Sequence, residues 1–330
     1  MIKFVFVCPD VSFMRLQYRD FQNNGNRLVT IGGIERKIIK IVSWLGITKF
    51  KLFDFLIFYQ LRKSFSCINT KINERYCFIL YSRVFEDFNS SICRFLRKNF
   101  RNCYIVVYYG DLIERHKCSI DDIKASCDLV CTFDENEAQK YDIDWILEPF
   151  SSSIKDMDIF SVENNPLRYD ITFVGRAKNR YKKIIELYEK LTSYGYSCDF
   201  HITGVPENMR KYKDRISYEG LTFTELLRHV LSSKCIAEIM QDNGSSPTTR
   251  YTEAMIFEKN LITNCGYFCD ERRRTNNIFY FKDIEDIDKF KNLIVENNSD
   301  FNKEDFYSLF SINSMINAIQ KKLKIRKLED

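Results

Sequence analysis

Short runs of β-branched and aromatic residues, each followed by a stretch with helical spacing, recur along the whole of the 330-residue chain. In the first half the runs are Lys3–Val7, Cys77–Tyr81, Cys103–Tyr108 and Leu129–Phe133, with Glu35–Leu45 and Ile92–Asn99 reading as helices. The second half is plainer. There "YDITFVG" precedes a helix with Tyr181, Ile184, Ile185, Tyr188 and Leu191 on one face, stopping at Gly195. "CDFHITG" is the next strand, and "GLTFTELLRHVL" opens a helix with Thr222 and Glu225 at capping-box spacing. "KCIAEIM", "NLIT" and "IFYF" continue as strands, and Ile284–Val295 reads as a closing helix. Strands separated by helices join in parallel, so the expected fold class is α/β with doubly wound, helix-covered parallel sheets.

The length exceeds that of a usual single domain, and periodicity is lost across "SSSIKDMDIFSVENNPL", from Ser151 to Leu167. The expectation is two Rossmann-like domains facing a cleft, 1–150 and 168–330, with the last helix packing back on the first. No run of about 18 apolar residues is present, which argues against a membrane-spanning helix. The opening "MIKFVFVCPD" meets Pro9 and Asp10 at once and has no small-residue cleavage site, so it reads as a first strand and a cytoplasmic location is expected. The 12 cysteines are scattered, and Cys8, Cys77, Cys103 and Cys235 fall in apolar runs, where a reduced thiol packs as a small hydrophobe. Cys265 and Cys269 lack a second pair, so no metal site is expected. His201 and His229 read as packing residues. A net charge of +5 suits a phosphate-bearing ligand or an anionic membrane surface but falls short of the basic stripe of a nucleic-acid binder.

The stretch "GSSPTTRYTEAMIFEKNLITNC", Gly244 to Cys265, follows a strand, and open α/β sheets bind ligands at that end. Ser246 before Pro247 has the form of an N-cap with proline at the first helical position, which leaves the amides of Thr248 and Thr249 for an anion. Thr249, Arg250 and Glu253 are spaced to meet on the first turns. Phosphate would take the amides and Arg250, and a hydroxyl-rich group would take Glu253. The plainer alternative is a well-capped helix with a surface ion pair.

"RYTEAMIFEKNLIT" resembles the donor-binding element of GT-B glycosyltransferases, and "DITFVGRAKNRY" with "HITG" resembles the start of their C-terminal domain. The likeness covers about Asp170 to Asn264, with a weaker echo in "SCDLVCTFDENEAQKY", and is nearest to bacterial surface-polysaccharide transferases of the CgeB-like kind, those of capsule or O-antigen. It implies a nucleotide-sugar co-substrate held by Gly175, Arg176, Gly204, Ser246, Thr249, Arg250 and Glu253, with no further cofactor and no metal. It also implies transfer to a saccharide or lipid-linked saccharide acceptor. Lys178 and Arg180 are second choices to Arg176. The chain departs from the paired-glutamate pattern of retaining members, because Ser245 stands eight residues before Glu253. That leaves the stereochemical outcome open.

An inverting transferase needs a general base for the acceptor hydroxyl, and the resemblance to GT-B glycosyltransferases implies that it comes from the first domain. Asp111, directly after Gly110 and a strand, is the first choice; His116 is the second and Asp10 the third. Two rival readings are a metal-dependent GT-A transferase and a non-catalytic nucleotide- or sugar-binding module. The first would use one of the triplets Asp142-Ile143-Asp144, Asp156-Met157-Asp158 or Asp286-Ile287-Asp288. Finally, Arg36–Lys63 interleaves Trp44, Phe50, Phe53, Phe55, Phe58 and Tyr59 with basic residues, which suits a peripheral place on an anionic inner leaflet.

Overall fold

A computed structural model describes residues 2–23, 25–32, 58–59, 61–68, 74–161, 163–241, 244–296 and 303–326. The helix expected at Glu35–Leu45 and most of the aromatic and basic segment Arg36–Lys63 lie outside the described residues. The chain divides into two compact units, Met1–Ser151 with Ile312–Asp330, and Ser152–Ser311.

The first unit holds β1 (Ile2–Pro9), β2 (Arg27–Ile31), β3 (Arg75–Tyr81), β4 (Tyr104–Tyr109), β5 (Leu129–Thr132) and β6 (Asp144–Trp145). They form one sheet in the order β2-β1-β3-β4-β5-β6, all neighbours parallel. The strands read as continuous apolar runs because both faces are buried. Val5 and Val7 enter one core with Val84, Phe88 and Phe95 of helices α1 (Ser82–Phe88) and α2 (Ser90–Asn99). Phe4, Phe6 and Cys8 enter a second core on the opposite face. That second core is completed by Ile312, Met315, Ile316, Ile319 and Leu323, one face of the C-terminal helix Ile312–Arg326. Lys322 of this helix pairs with Asp144 at 2.7 Å.

The second unit holds β7 (Tyr169–Arg176), β8 (Cys198–Thr203), β9 (Ile216–Ser217), β10 (Ser233–Glu238), β11 (Asn260–Thr263) and β12 (Ile278–Tyr280). Its order is β12-β11-β10-β7-β8-β9, again all parallel. Read from β9 this is the 3-2-1-4-5-6 arrangement of doubly wound nucleotide-binding sheets, with the reversal of order between β7 and β10. Helix α3 (Tyr181–Ser193) buries the expected Ile184, Ile185, Tyr188 and Leu191. Helix α4 (Phe223–Leu231) carries both halves of the Thr222–Glu225 capping box.

One expected helix is absent. Ile284–Val295 contains only a short 3-10 segment, Ile284–Lys289. Its acidic side chains bond locally or elsewhere: Asp286 accepts from the amides of Lys282 and Asp283, and Asp288 accepts from Lys190 at 2.7 Å. Such side-chain bonds compete with a helical ladder.

Candidate functional site

Helix α5 (Thr249–Ile256) leaves the carboxyl end of β10 through the loop read as a phosphate site. It begins later than expected. Thr248, not Ser246, is the N-cap, and its hydroxyl accepts from the Arg250 amide at 3.2 Å. Ser246 is fully buried. Threonine is itself a strong cap, so the Thr248–Thr249 pair moves the boundary two residues past the Ser246-Pro247 signal.

Two acids are buried around this helix start. Glu238, the last residue of β10, accepts from the hydroxyls of Thr248 and of Thr263, the latter at 2.5 Å. Glu253 is 0% exposed; its Oε2 accepts from Arg250, and its Oε1 has no hydrogen-bond partner among the described residues. Burial pushes the Glu253 proton affinity up, Arg250 opposes this, and the charge of Glu238 adds to the rise. Arg250 keeps 18% of its side chain exposed, so this is a buried acid capped by a cation that borders solvent. A buried carboxylate with an unused oxygen is costly unless something completes its hydrogen bonding.

Arg176 ends β7 and is exposed. Arg176 pairs in register with Thr203, the last residue of β8, and a Cβ on the following Gly204 would come within 3.9 Å of the Arg176 Nε. The φ of +76° at Gly204 is the left-handed conformation that favours glycine. Arg180 plays another part: its guanidinium donates to the Ile239 carbonyl and lies over the Phe173 ring. Gly175 leaves room for it, since a Cβ there would stand 3.2 Å from the Arg180 Nη2. The structure thus sets Arg176, at the end of β7, beside Gly204, just past β8, and Arg250 beside Glu253 at the foot of α5. Arg176 ends β7 and helix α5 follows β10, the two strands between which the order reverses.

In the first unit Asp111 follows Gly110 and β4, with a side chain 49% exposed that pairs with Arg115 at 2.5 Å. The His116 side chain is only 6% exposed. Its Nδ1 lies 3.3 Å from Glu86, its Nε2 lies 3.3 Å from the Ser82 hydroxyl, and its ring meets Tyr109 edge-on. Burial lowers its proton affinity by more than Glu86 and Asp111 raise it. Asp10 ends the turn after β1 and pairs with Arg15 at 2.5 Å.

Sequence reasoning missed Glu148. It is buried, accepts from the Tyr18 hydroxyl at 3.1 Å, and is pushed up to about 7 by burial, with Gln17 and Tyr18 pulling the other way. A Cβ on Gly110 would stand 2.7 Å from Tyr81 and 2.8 Å from Glu148, so this turn accepts only glycine without rearrangement. A lone acid inside the apolar run "WILEPF" was the signal available.

Two of the three Asp-x-Asp triplets have members engaged elsewhere: Asp142 caps a helix in the left-handed conformation, Asp144 pairs with Lys322, and Asp286 and Asp288 bond as described above. His201 and His229 are not simple packing residues, because each bonds Asp199.

Two six-stranded parallel sheets with covering helices define the GT-B fold, not the GT-A fold. Solved structures of GT-B glycosyltransferases match the chain on this basis. An alpha-glucosyltransferase in complex with UDP-glucose and DNA containing an abasic site aligns at TM-score 0.62 and 12% identity, over 98% of this chain and 99% of that one. A UDP-forming alpha,alpha-trehalose-phosphate synthase from Burkholderia xenovorans aligns at 0.53 and 9%, over 98% and 99%. A glycosyltransferase from Rickettsia africae aligns at 0.53 and 13%, over 98% of each chain. No protein-family model matches the sequence, and no curated protein matches it.

Proposed function

We propose that the chain is a glycosyltransferase that takes a sugar from a nucleoside diphosphate sugar bound by the second unit. The observation that carries this reading is Glu253, a fully buried carboxylate with one oxygen unused and the other capped by Arg250, at a helix start beside the strand-order reversal. Arg250 turning toward a diphosphate would release Glu253 to accept ribose hydroxyls. Arg176 would meet the same diphosphate from β7, with Gly204 allowing close approach of the backbone. Structures of the same fold bound to UDP-glucose support the reading.

Basic side chains and helix amides can neutralise a departing diphosphate, so transfer is proposed to need no divalent cation at the donor. Asp111 is the proposed general base, since it is accessible and oriented by Arg115, whereas His116 is enclosed. Titration with nucleoside diphosphates followed by a sugar-transfer assay tests both parts. Nucleotide binding without transfer to any saccharide would favour a binding module, a reading that Ser245 in place of a first glutamate supports.

For the acceptor we propose a lipid-linked saccharide of surface-polysaccharide synthesis, met at an anionic inner leaflet. Its support is the basic and aromatic sequence Arg36–Lys63. Among the described residues no helix is long and apolar enough to cross a membrane, and the association proposed is peripheral. The test is sedimentation with anionic vesicles at low and high salt, with duplex DNA as the competing acceptor class, since the alpha-glucosyltransferase of the same fold is bound to DNA.

A further inference from the structure

Asp199, His201 and His229 form a polar cluster in the second unit that the donor chemistry does not use. Alternation along β8 puts Asp199 and His201 on one face, two residues apart, and α4 brings His229 to them from its last turn. The carboxylate lies between the two imidazoles, with Oδ1 3.0 Å from His201 Nε2 and Oδ2 2.6 Å from His229 Nδ1. The ring centroids are 4.3 Å apart, and all three ligand atoms lie within 4.8 Å of one another. Among the described residues this is the one group of three or more His, Cys, Asp or Glu side chains so arranged. His201 Nδ1 is buried with no hydrogen-bond partner among the described residues, so the ring is tethered only through Asp199.

Two imidazole nitrogens and one carboxylate oxygen are the donors preferred by zinc and its neighbours among the divalent transition metals, whereas magnesium and calcium favour oxygen alone. With zinc bonds of about 2.0–2.2 Å, tetrahedral ligand atoms stand about 3.3 Å apart, so the N···O separations of 3.0 and 2.6 Å would open by roughly 0.3–0.7 Å as the two imidazole nitrogens adjust to the ion. Of the three residues, His229 alone also lines a cavity of about 490 Å³, with Asp158, Asn164, Arg168 and Arg228.

The geometry points to a zinc-class divalent metal site built from Asp199, His201 and His229, with its open position toward that cavity. The site would staple α4 to β8 at the end of the sheet opposite Gly204. Cobalt(II) is the spectroscopic probe. Added to the metal-stripped full chain, one equivalent should give the visible bands of a four- or five-coordinate ion without a thiolate charge-transfer band, and zinc should displace it. Zinc should also raise the unfolding temperature of the native chain. His229→Gln and Asp199→Asn should each weaken cobalt binding about a hundredfold or more. Should Asp199→Asn fail to fold, the half-exposed His229 position supplies the test, with circular dichroism confirming an intact fold. Absence of the bands, their persistence in a folded His229→Gln variant, or a thiolate signature showing that cysteines hold the ion would each overturn the site.

Discussion

The Arg180 guanidinium donates to the Ile239 carbonyl, and so one side chain ties the end of β7 to the chain leaving β10, the two strands between which the sheet order reverses. Doubly wound sheets open a crevice at such a reversal because the connections diverge to opposite faces. Arg180 spans that reversal, while Arg176, four residues earlier, is exposed.

The two arginines should therefore separate stability from binding. Arg180→Ala strands a carbonyl and uncovers Phe173, with an expected cost of about 1–3 kcal/mol in urea unfolding. Arg176→Ala should change stability by less than about 0.5 kcal/mol yet weaken nucleoside diphosphate binding about tenfold, the loss of one charge-assisted bond. Equal effects of both substitutions on stability would show that Arg176 is also structural.

Glu148 should leave a signature in the pH dependence of stability. Its proton leaves near 4.5 in the unfolded chain but is held to about 7 in the fold. The folded form binds more protons between those values, so stability should fall as pH rises through that window and level off above it. Glu137, also raised to about 7 by burial, contributes in the same direction. Glu148→Gln keeps the shape without the charge, and relative to the native chain it should gain about 3 kcal/mol between pH 4.5 and 7.5. A constant difference across this range would mean that Glu148 is not protonated in the fold.

Gly110→Ala should cost about 1–3 kcal/mol through overpacking against Tyr81 and Glu148, read as a lower denaturation midpoint with unchanged slope. The same substitution moves Asp111, so the transfer rate should fall as well. Asp111→Asn, which leaves the turn intact, should lower kcat about a hundredfold or more with little change in stability.

Much of the fold is legible in the sequence because buried parallel strands must be apolar on both faces and amphipathic helices must show their period. "YDITFVG", "CDFHITG" and "NLIT" lie where those rules place them. Thr222 with Glu225 shows the same for a cap. The candidate site is less legible. The helix start at Thr249 was displaced by a stronger-looking signal at Ser246-Pro247, and Ile284–Val295 has helical spacing but acids that bond elsewhere. The carboxylates Glu148 and Glu238, and Asp199 with its two histidines, become visible only when residues far apart in sequence meet. Glu148 bonds Tyr18 across 130 positions, a relation no local pattern contains.

The central claim is that Glu253 and its neighbours bind a nucleoside diphosphate. Calorimetric titration of UDP and of the other nucleoside diphosphates into the native chain and Glu253→Ala tests it most directly. The account predicts one site per chain for at least one of these nucleotides, with affinity reduced by about 1–3 kcal/mol in the variant through loss of a charge-assisted bond to ribose. A native chain that binds no nucleoside diphosphate, or a folded Glu253→Ala chain that binds it unchanged, would contradict the account.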